Sequence, residues 1–300
     1  MAGTFTVVNL SQLAAPDAVE TLDFETIVSQ MLTDLQARSV AAGIAYTAPV
    51  ESDPAYKILE VAAYREMLVR QRANEAVRAV MLAYAKGSDL DQIGANYNVA
   101  RLTIKPADST TIPPTPAVME EDDDYRMRIP LSLESYTTAG SEGSYVFQAL
   151  SAIGTISDIQ AESPSPGQVV VYVLSRNGNG AASSEEIDAV TAALSAKTVR
   201  PMTDQVSVLS AAVGTYEIDA DLTLFDGPDA DVVIAAAESA AQAYADSVHK
   251  IGYDVALSGI YKALHQTGVD SVALNSPQAG IPGVTGQAMY CTGINIRKAE

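Results

Sequence analysis

The chain has 300 residues, 48% of them hydrophobic, and 37 acidic against 18 basic side chains give a net charge of −19. That is room for two or three domains with ample core, and the charge excludes duplex nucleic acid and anionic membrane as partners for most of the surface. The single Cys291 excludes an intrachain disulfide and a cysteine-based zinc site, and the only histidines, His249 and His265, lack metal-ligand spacing.

There is no basic-then-apolar leader and no run of about 18 apolar residues, so a soluble chain made in the cytosol is expected. Residues 1–22 are mixed in character, with Pro16 as a breaker. A first helix is predicted from Phe24 to Ala42, with Asp23 as its N-cap, Leu22 stapling onto Ile27, and Gly43 as terminator. Phe24, Ile27, Val28, Met31 and Leu35 recur on one face of it. An extended link, Tyr46–Ser52, leads to the most informative segment.

From Asp53 to Lys86 the pattern reads as one helix of more than thirty residues, roughly 45–50 Å long against a mean near 12 residues. Asp53 can cap it, Pro54 suits its first position, and Gly87 can close it. Ile58, Ala62, Val69, Ala73, Ala76 and Val80 fall on one side, with Glu60, Gln71, Asn74 and Arg78 opposite. Arg65 and Arg72 stand at the edge of the apolar side, and the stretch from Ala76 to Tyr84 is apolar nearly all round. A core helix of an ordinary domain is one reading. The other is a helix that packs against helices of other chains, through Ile58, Ala62, Arg65, Val69, Arg72, Ala76, Val80 and Tyr84. Residues 1–105 carry 12 acids and 9 bases, an interleaved balance that suits the second reading. So do fourteen tyrosines against four phenylalanines, since tyrosine joins apolar area to a polar tip.

Ser88 or Asp89 caps a short third helix to Ile93. The run Ile112-Pro113-Pro114-Thr115-Pro116 reads as a stiff linker at a domain boundary. The acids Glu120 to Asp124 invite a metal, but acids before a helix are better explained by its positive end and free N–H groups. Pro130 should kink or split that helix, and Ser144–Ala152 is another. Residues 106–212 carry 14 acids and 5 bases.

From Thr155 the period changes. Ile156 and Ile159, then Val169, Val171 and Val173, predict two strands around the turn Ser163–Gly167. The glycine-rich loop Arg176–Gly180 is followed by acids at the helix start, where a phosphate cradle needs lysine and a hydroxyl. Ser183 or Ser184 caps that helix to about Ala196, and Val206 and Val208 mark a further strand. A strong alternation over 214–226 predicts a half-exposed antiparallel strand with Glu217, Asp219 and Asp221 on its wet side. The turn Asp226–Asp229, an alanine-rich helix to His249, a helix over Leu257–Gln266, a strand over Val269–Leu274, the loop Ser276–Gly286 and a strand over Ala288–Ile296 complete a second α+β unit. Residues 213–300 carry 11 acids and 4 bases. The fold class is therefore α+β: an N-terminal long-helix bundle domain (1–105) followed by two small α+β domains (106–212 and 213–300).

No nucleophile elbow occurs and no histidine neighbours a nucleophile, so no catalytic residue, metal or cofactor is assigned and the chain is expected not to be an enzyme. His249 is explained by a helix C-terminus.

Several segments, in order, resemble the J-type baseplate wedge proteins of contractile-tailed bacteriophages. They are Asp53-Pro54 with Leu59-Glu60 and Ala63-Tyr64-Arg65-Glu66; Arg72-Ala73-Asn74-Glu75-Ala76; Gly87-Ser88-Asp89-Leu90-Asp91; Asp122-Asp123-Asp124-Tyr125-Arg126; Thr137-Thr138-Ala139-Gly140-Ser141; Ser163–Gly167; and Thr198–Asp204. The resemblance covers about residues 22–212. It implies a virion protein in which two copies join a smaller I-type partner as a heterotrimeric wedge. Six such wedges ring the hub, and a lysozyme-like baseplate protein docks nearby. It also implies an N-terminal helix bundle between subunits, and C-terminal domains that link neighbouring wedges and loosen on contraction. On this chain the bundle falls to residues 23–105, an arm to 106–212 and ring-closing contacts to 213–300, with the flexible joint expected at 106–118. The same part of a headless contractile particle, a carbohydrate-binding module using the tyrosines and the 276–286 loop, and an enzyme with a site assembled from distant residues are the alternatives.

Overall fold

The computed structural model describes Leu10 and residues 13–46, 50–136, 140–196, 198–227 and 229–299. Residues 47–49 of the predicted link, Thr137, Thr138 and Ala139 of the family-like motif, and Pro228 of the turn after Asp226 lie outside the described residues. The chain is mixed α and β and divides into two compact units, Val8–Asn96 and one holding Tyr97–Glu300.

The first unit is helical. Helix α1 (Phe24–Ala41) starts where the Asp23 carboxylate accepts the Thr26 N–H at 2.9 Å. It ends in two reversed bonds, Gly43 N–H to Val40 O and Ile44 N–H to Ser39 O, with Gly43 left-handed at φ +74° as predicted. Helix α2 (Pro54–Ala79) is capped by Asp53, which accepts the Ala55 N–H at 2.8 Å, and carries Pro54 at its first position. It has 26 residues and stops at Val80, so the expected continuation to Lys86 is corrected. The chain turns over residues 81–84, and Gly87 opens α3 (Gly87–Asn96) where it was expected to close α2. The reason is tertiary. The turn buries Ala85 and Leu90, which are 1% and 0% exposed, and this burial overrides the good helix propensity of Met81, Leu82 and Ala83.

Among the described residues, one face of α2 is buried inside the unit. Ala63 is fully buried against Ile27 and Val28 of α1, with Phe24, Met31, Tyr56 and Met67 around them. Asn74, expected on the outer side, is buried. Its amide donates to the Glu20 carbonyl at 2.9 Å and accepts the Glu20 N–H at 3.0 Å. Arg70 reaches Glu66 at 2.6 Å and Glu20 at 3.2 Å on the same side.

In the second unit, β1 (Thr103–Lys105) and β2 (Val118–Met119) form a small antiparallel hairpin, and the proline run lies at its tip. The stiff-linker reading is corrected here: prolines exclude helix, but Asp108 and Thr115 exchange backbone bonds at 2.9 Å and the chain doubles back. Helix α4 (Asp122–Leu131) passes directly into a 3-10 turn at Ser132–Tyr136, two residues after Pro130.

Two lobes follow, each a three-stranded sheet with helices against it. In the first, β3 (Ile156–Ser165) pairs antiparallel with β4 (Gln168–Ser175), and β4 pairs parallel with β5 (Gln205–Ser210). Helices α5 (Glu142–Leu150) and α6 (Ser184–Leu194) bury Tyr145, Ala149, Val190 and Leu194 against Ile156, Val171 and Val173. Of Ser183 and Ser184, both expected as candidates, Ser183 is the N-cap of α6, and with Glu186 it forms a reciprocal cap. In the second lobe, β6 (Ala212–Leu224) is central, between β7 (Val269–Ser276) and β8 (Gln287–Lys298). It is antiparallel to β7 but parallel to β8, so the purely antiparallel expectation is corrected. Tyr216, Ile218, Ala220 and Leu222 alternate inward as predicted, onto α7 (Ala230–Val248) and α8 (Leu257–Leu264). Leu174, Ala211, Ile251 and Ala288 form a shared core where the lobes meet.

Candidate interaction site

The residues singled out on α2 lie together on the face that its own unit leaves open. Ile58, Val69 and Val80 are 69%, 70% and 74% exposed, and Ala62, Arg65, Arg72 and Ala76 are exposed beside them. Tyr84 departs from the group. It lies past the end of α2, and its hydroxyl donates to the Leu13 carbonyl at 2.6 Å within the same unit. Val80 is the C-cap of the helix rather than part of its body.

The sequence reading missed Val61 and Leu68. They are 63% and 37% exposed and extend the apolar face beyond Arg65 and Arg72. The two arginines therefore run along the middle of the open face, not its edge. Val61 lies four residues before Arg65 and Leu68 three after it, and that spacing was the available signal. Single exposed apolar residues are ordinary on a protein surface; here they stand as a contiguous row along one helix face. Arg72 meets Glu75 only at 3.4 Å with 81% of its side chain exposed, and Arg65 forms no ion pair among the described residues.

The acid cluster before α4 does different work. Glu120 is buried and takes a two-pronged contact from buried Arg128, at 2.9 and 2.6 Å, while also accepting the Leu102 N–H at 3.1 Å. Asp122 pairs with Arg101 at 2.8 Å, Asp123 with Arg126, and Asp124 with Arg176 at 2.7 Å. The capping explanation for these acids holds only in part, because Glu121, at the N-cap, makes no side-chain capping bond. On β6, Asp219 and Asp221 share Arg297 of β8 and Asn275 of β7 at 2.7–3.0 Å. Those bonds hold both carboxyls below the usual range, Arg297 leading at Asp219 and Asn275 at Asp221.

A cleft of about 280 Å³ lies in the second unit between α4, α5, β3 and residues 250–253. Asp158 lines it and accepts the Ile251 N–H at 2.9 Å; burial pushes its carboxyl up. His249, at the C-cap of α7, is held by the Met289 carbonyl at 2.9 Å. Among the described residues no group of three His, Cys, Asp or Glu is placed to hold a metal, and no helix is long and apolar enough to cross a membrane.

Comparison with known proteins gives this arrangement its class. Three family profiles match in chain order: the Baseplate J-like N-terminal domain over residues 51–108, the Baseplate J-like central domain over 137–210, and the Baseplate J-like protein C-terminal domain over 216–296. Baseplate protein J of Escherichia phage P2 is 49% identical over 293 residues, which cover 97% of this chain and 97% of that protein. The protein is thus a structural component of a phage-tail baseplate, a virion part. Within that class it belongs to the baseplate J family.

Proposed function

We propose that the chain is a wedge subunit of a contractile-tail baseplate, in which two copies join a smaller I-type protein as a heterotrimer. Six wedges ring the central hub, a lysozyme-like baseplate protein docks nearby, and neighbouring wedges touch through residues 213–300 and part on contraction. The N-terminal residues, 23–105, enter a helix bundle shared between the three chains, and residues 106–212 form the arm. One observation carries this reading: the apolar, arginine-bearing face of α2 is left open by its own unit. Contacts within a wedge must outlast those between wedges, and a shared helix bundle supplies the stronger kind. Acidic surfaces meeting edge to edge supply the weaker kind.

The test is co-purification with the I-type protein. Arg72→Glu is expected to remove the partner from the complex while the isolated variant keeps its circular dichroism and melting temperature. A wedge of unchanged mass from that variant contradicts the proposal.

A further inference from the structure

The open face of α2 repeats every seven residues. Ile58, Arg65, Arg72 and Ala79 form its middle row, flanked by Ala62, Val69 and Ala76 on one side and by Val61 and Leu68 on the other. Seven residues in two turns is the repeat of helices wound about one another, and the seam of such a pair is normally apolar. Here two of the four middle positions are arginine. Among the described residues Arg65 has no ion pair, and Arg72 has one exposed contact, to Glu75 at 3.4 Å. Covering either one with an apolar helix would bury an unpaired charge.

A second copy of α2 is the wrong cover. Side by side in parallel, Arg65 meets Arg65 and Arg72 meets Arg72. In the antiparallel arrangement that superposes the two rows, Arg65 meets Arg72. Both place like charges in a drying seam, which protein interfaces strongly disfavour. We infer that Arg65 and Arg72 bar α2 from pairing with its own copy and select a helix of a different chain that carries carboxylates about seven residues apart. Arginine suits this role, because its forked donors match a carboxylate and its stem covers apolar surface. Two copies of the chain would then be joined through the acidic helix between them, and only once it is present. This rests on the reading that the α2 face docks a partner, and adds the chemistry of that partner.

The test uses the full chain and two synthetic amphipathic helices with the same leucine-alanine seam. One carries glutamate and the other lysine at seven-residue intervals. The glutamate helix is expected to bind at least about tenfold more tightly at low salt, and Arg65→Glu/Arg72→Glu should reverse the order. In sedimentation, Arg65→Leu/Arg72→Leu should form a self-associated species that wild type lacks, and adding Val69→Asp should abolish it. Equal binding of the two peptides overturns the inference. So does a wild-type species that dissolves on Val69→Asp, or attachment to phosphatidylserine vesicles that the arginine reversals remove while peptide binding is absent. If Arg72→Glu blocks wedge assembly yet the peptides bind alike, the docking reading stands and this inference falls. If Arg72→Glu leaves wedge assembly untouched, the docking reading falls and this inference falls with it, whatever the peptides show.

Discussion

The two units treat charge in opposite ways. In the second unit, Glu120, Asp122, Asp123, Asp124, Asp219 and Asp221 find arginines of the same unit: Arg128, Arg101, Arg126, Arg176 and Arg297. In the first, Arg70 is spent on Glu66 and Glu20, but Arg65 and Arg72 stand on an apolar face without a firm partner. A formal charge tells little by itself. Whether the chain has already answered it decides whether a group braces the fold or waits for another chain.

The comparison is broken most severely at Arg128. Arg128→Met leaves Glu120 buried and unpaired, and should cost about 3–5 kcal/mol in chemical denaturation. Adding Glu120→Leu should recover most of that loss, because the pair itself is close to neutral against well-packed apolar residues. A single variant as stable as wild type would mean that the second unit does not depend on answering its own charges.

A smaller effect separates the two faces of α2. Ala63→Leu overpacks the contact with Ile27 and Val28 and should cost about 1–3 kcal/mol. Val69→Asp on the open face should change the stability of the isolated chain by less than about 0.5 kcal/mol. Equal costs at the two positions would mean that both faces are covered within the chain.

The smallest effect is a pH dependence. Burial raises the Asp158 carboxyl, so its ionised form opposes folding; hydrogen bonds from Ile251 and Ile159 and the nearby Lys250 and His249 only partly offset this. The penalty is absent below the usual carboxylate range, where both folded and unfolded chains are protonated. It grows as pH rises through that range and is complete above the raised folded value. Asp158→Asn should therefore raise the melting temperature at neutral pH and lose that advantage in acid. An advantage that persists unchanged into acid would assign it to something other than ionisation.

Much of this was legible in residue order. Asp53-Pro54, Asp23 with Gly43, and Ser183 are local signals, and each forms a cap expected from the sequence. The alternation from Tyr216 to Leu222 declared the inner face of β6, and the spacing of Ile58, Ala62, Val69 and Ala76 declared the open face of α2. What escaped was long-range. The stop at Ala79 depends on burying Ala85 and Leu90. The partners of Glu120 and Asp124 come from Leu102, Arg128 and Arg176, which no local pattern joins to them. Asn74 looked like a solvent-facing amide because its partner, the Glu20 backbone, lies 54 residues away.

The most direct measurement is hydroxyl-radical footprinting of Ile58, Leu68 and Val69 in the free protein and in intact particles. All three side chains should be labelled readily when the chain is alone and protected in the assembled baseplate, with Ala63 neighbours such as Met67 changing little. Equal labelling in both states would show that the open side of α2 stays bare, and would contradict the claim that it is kept for other chains.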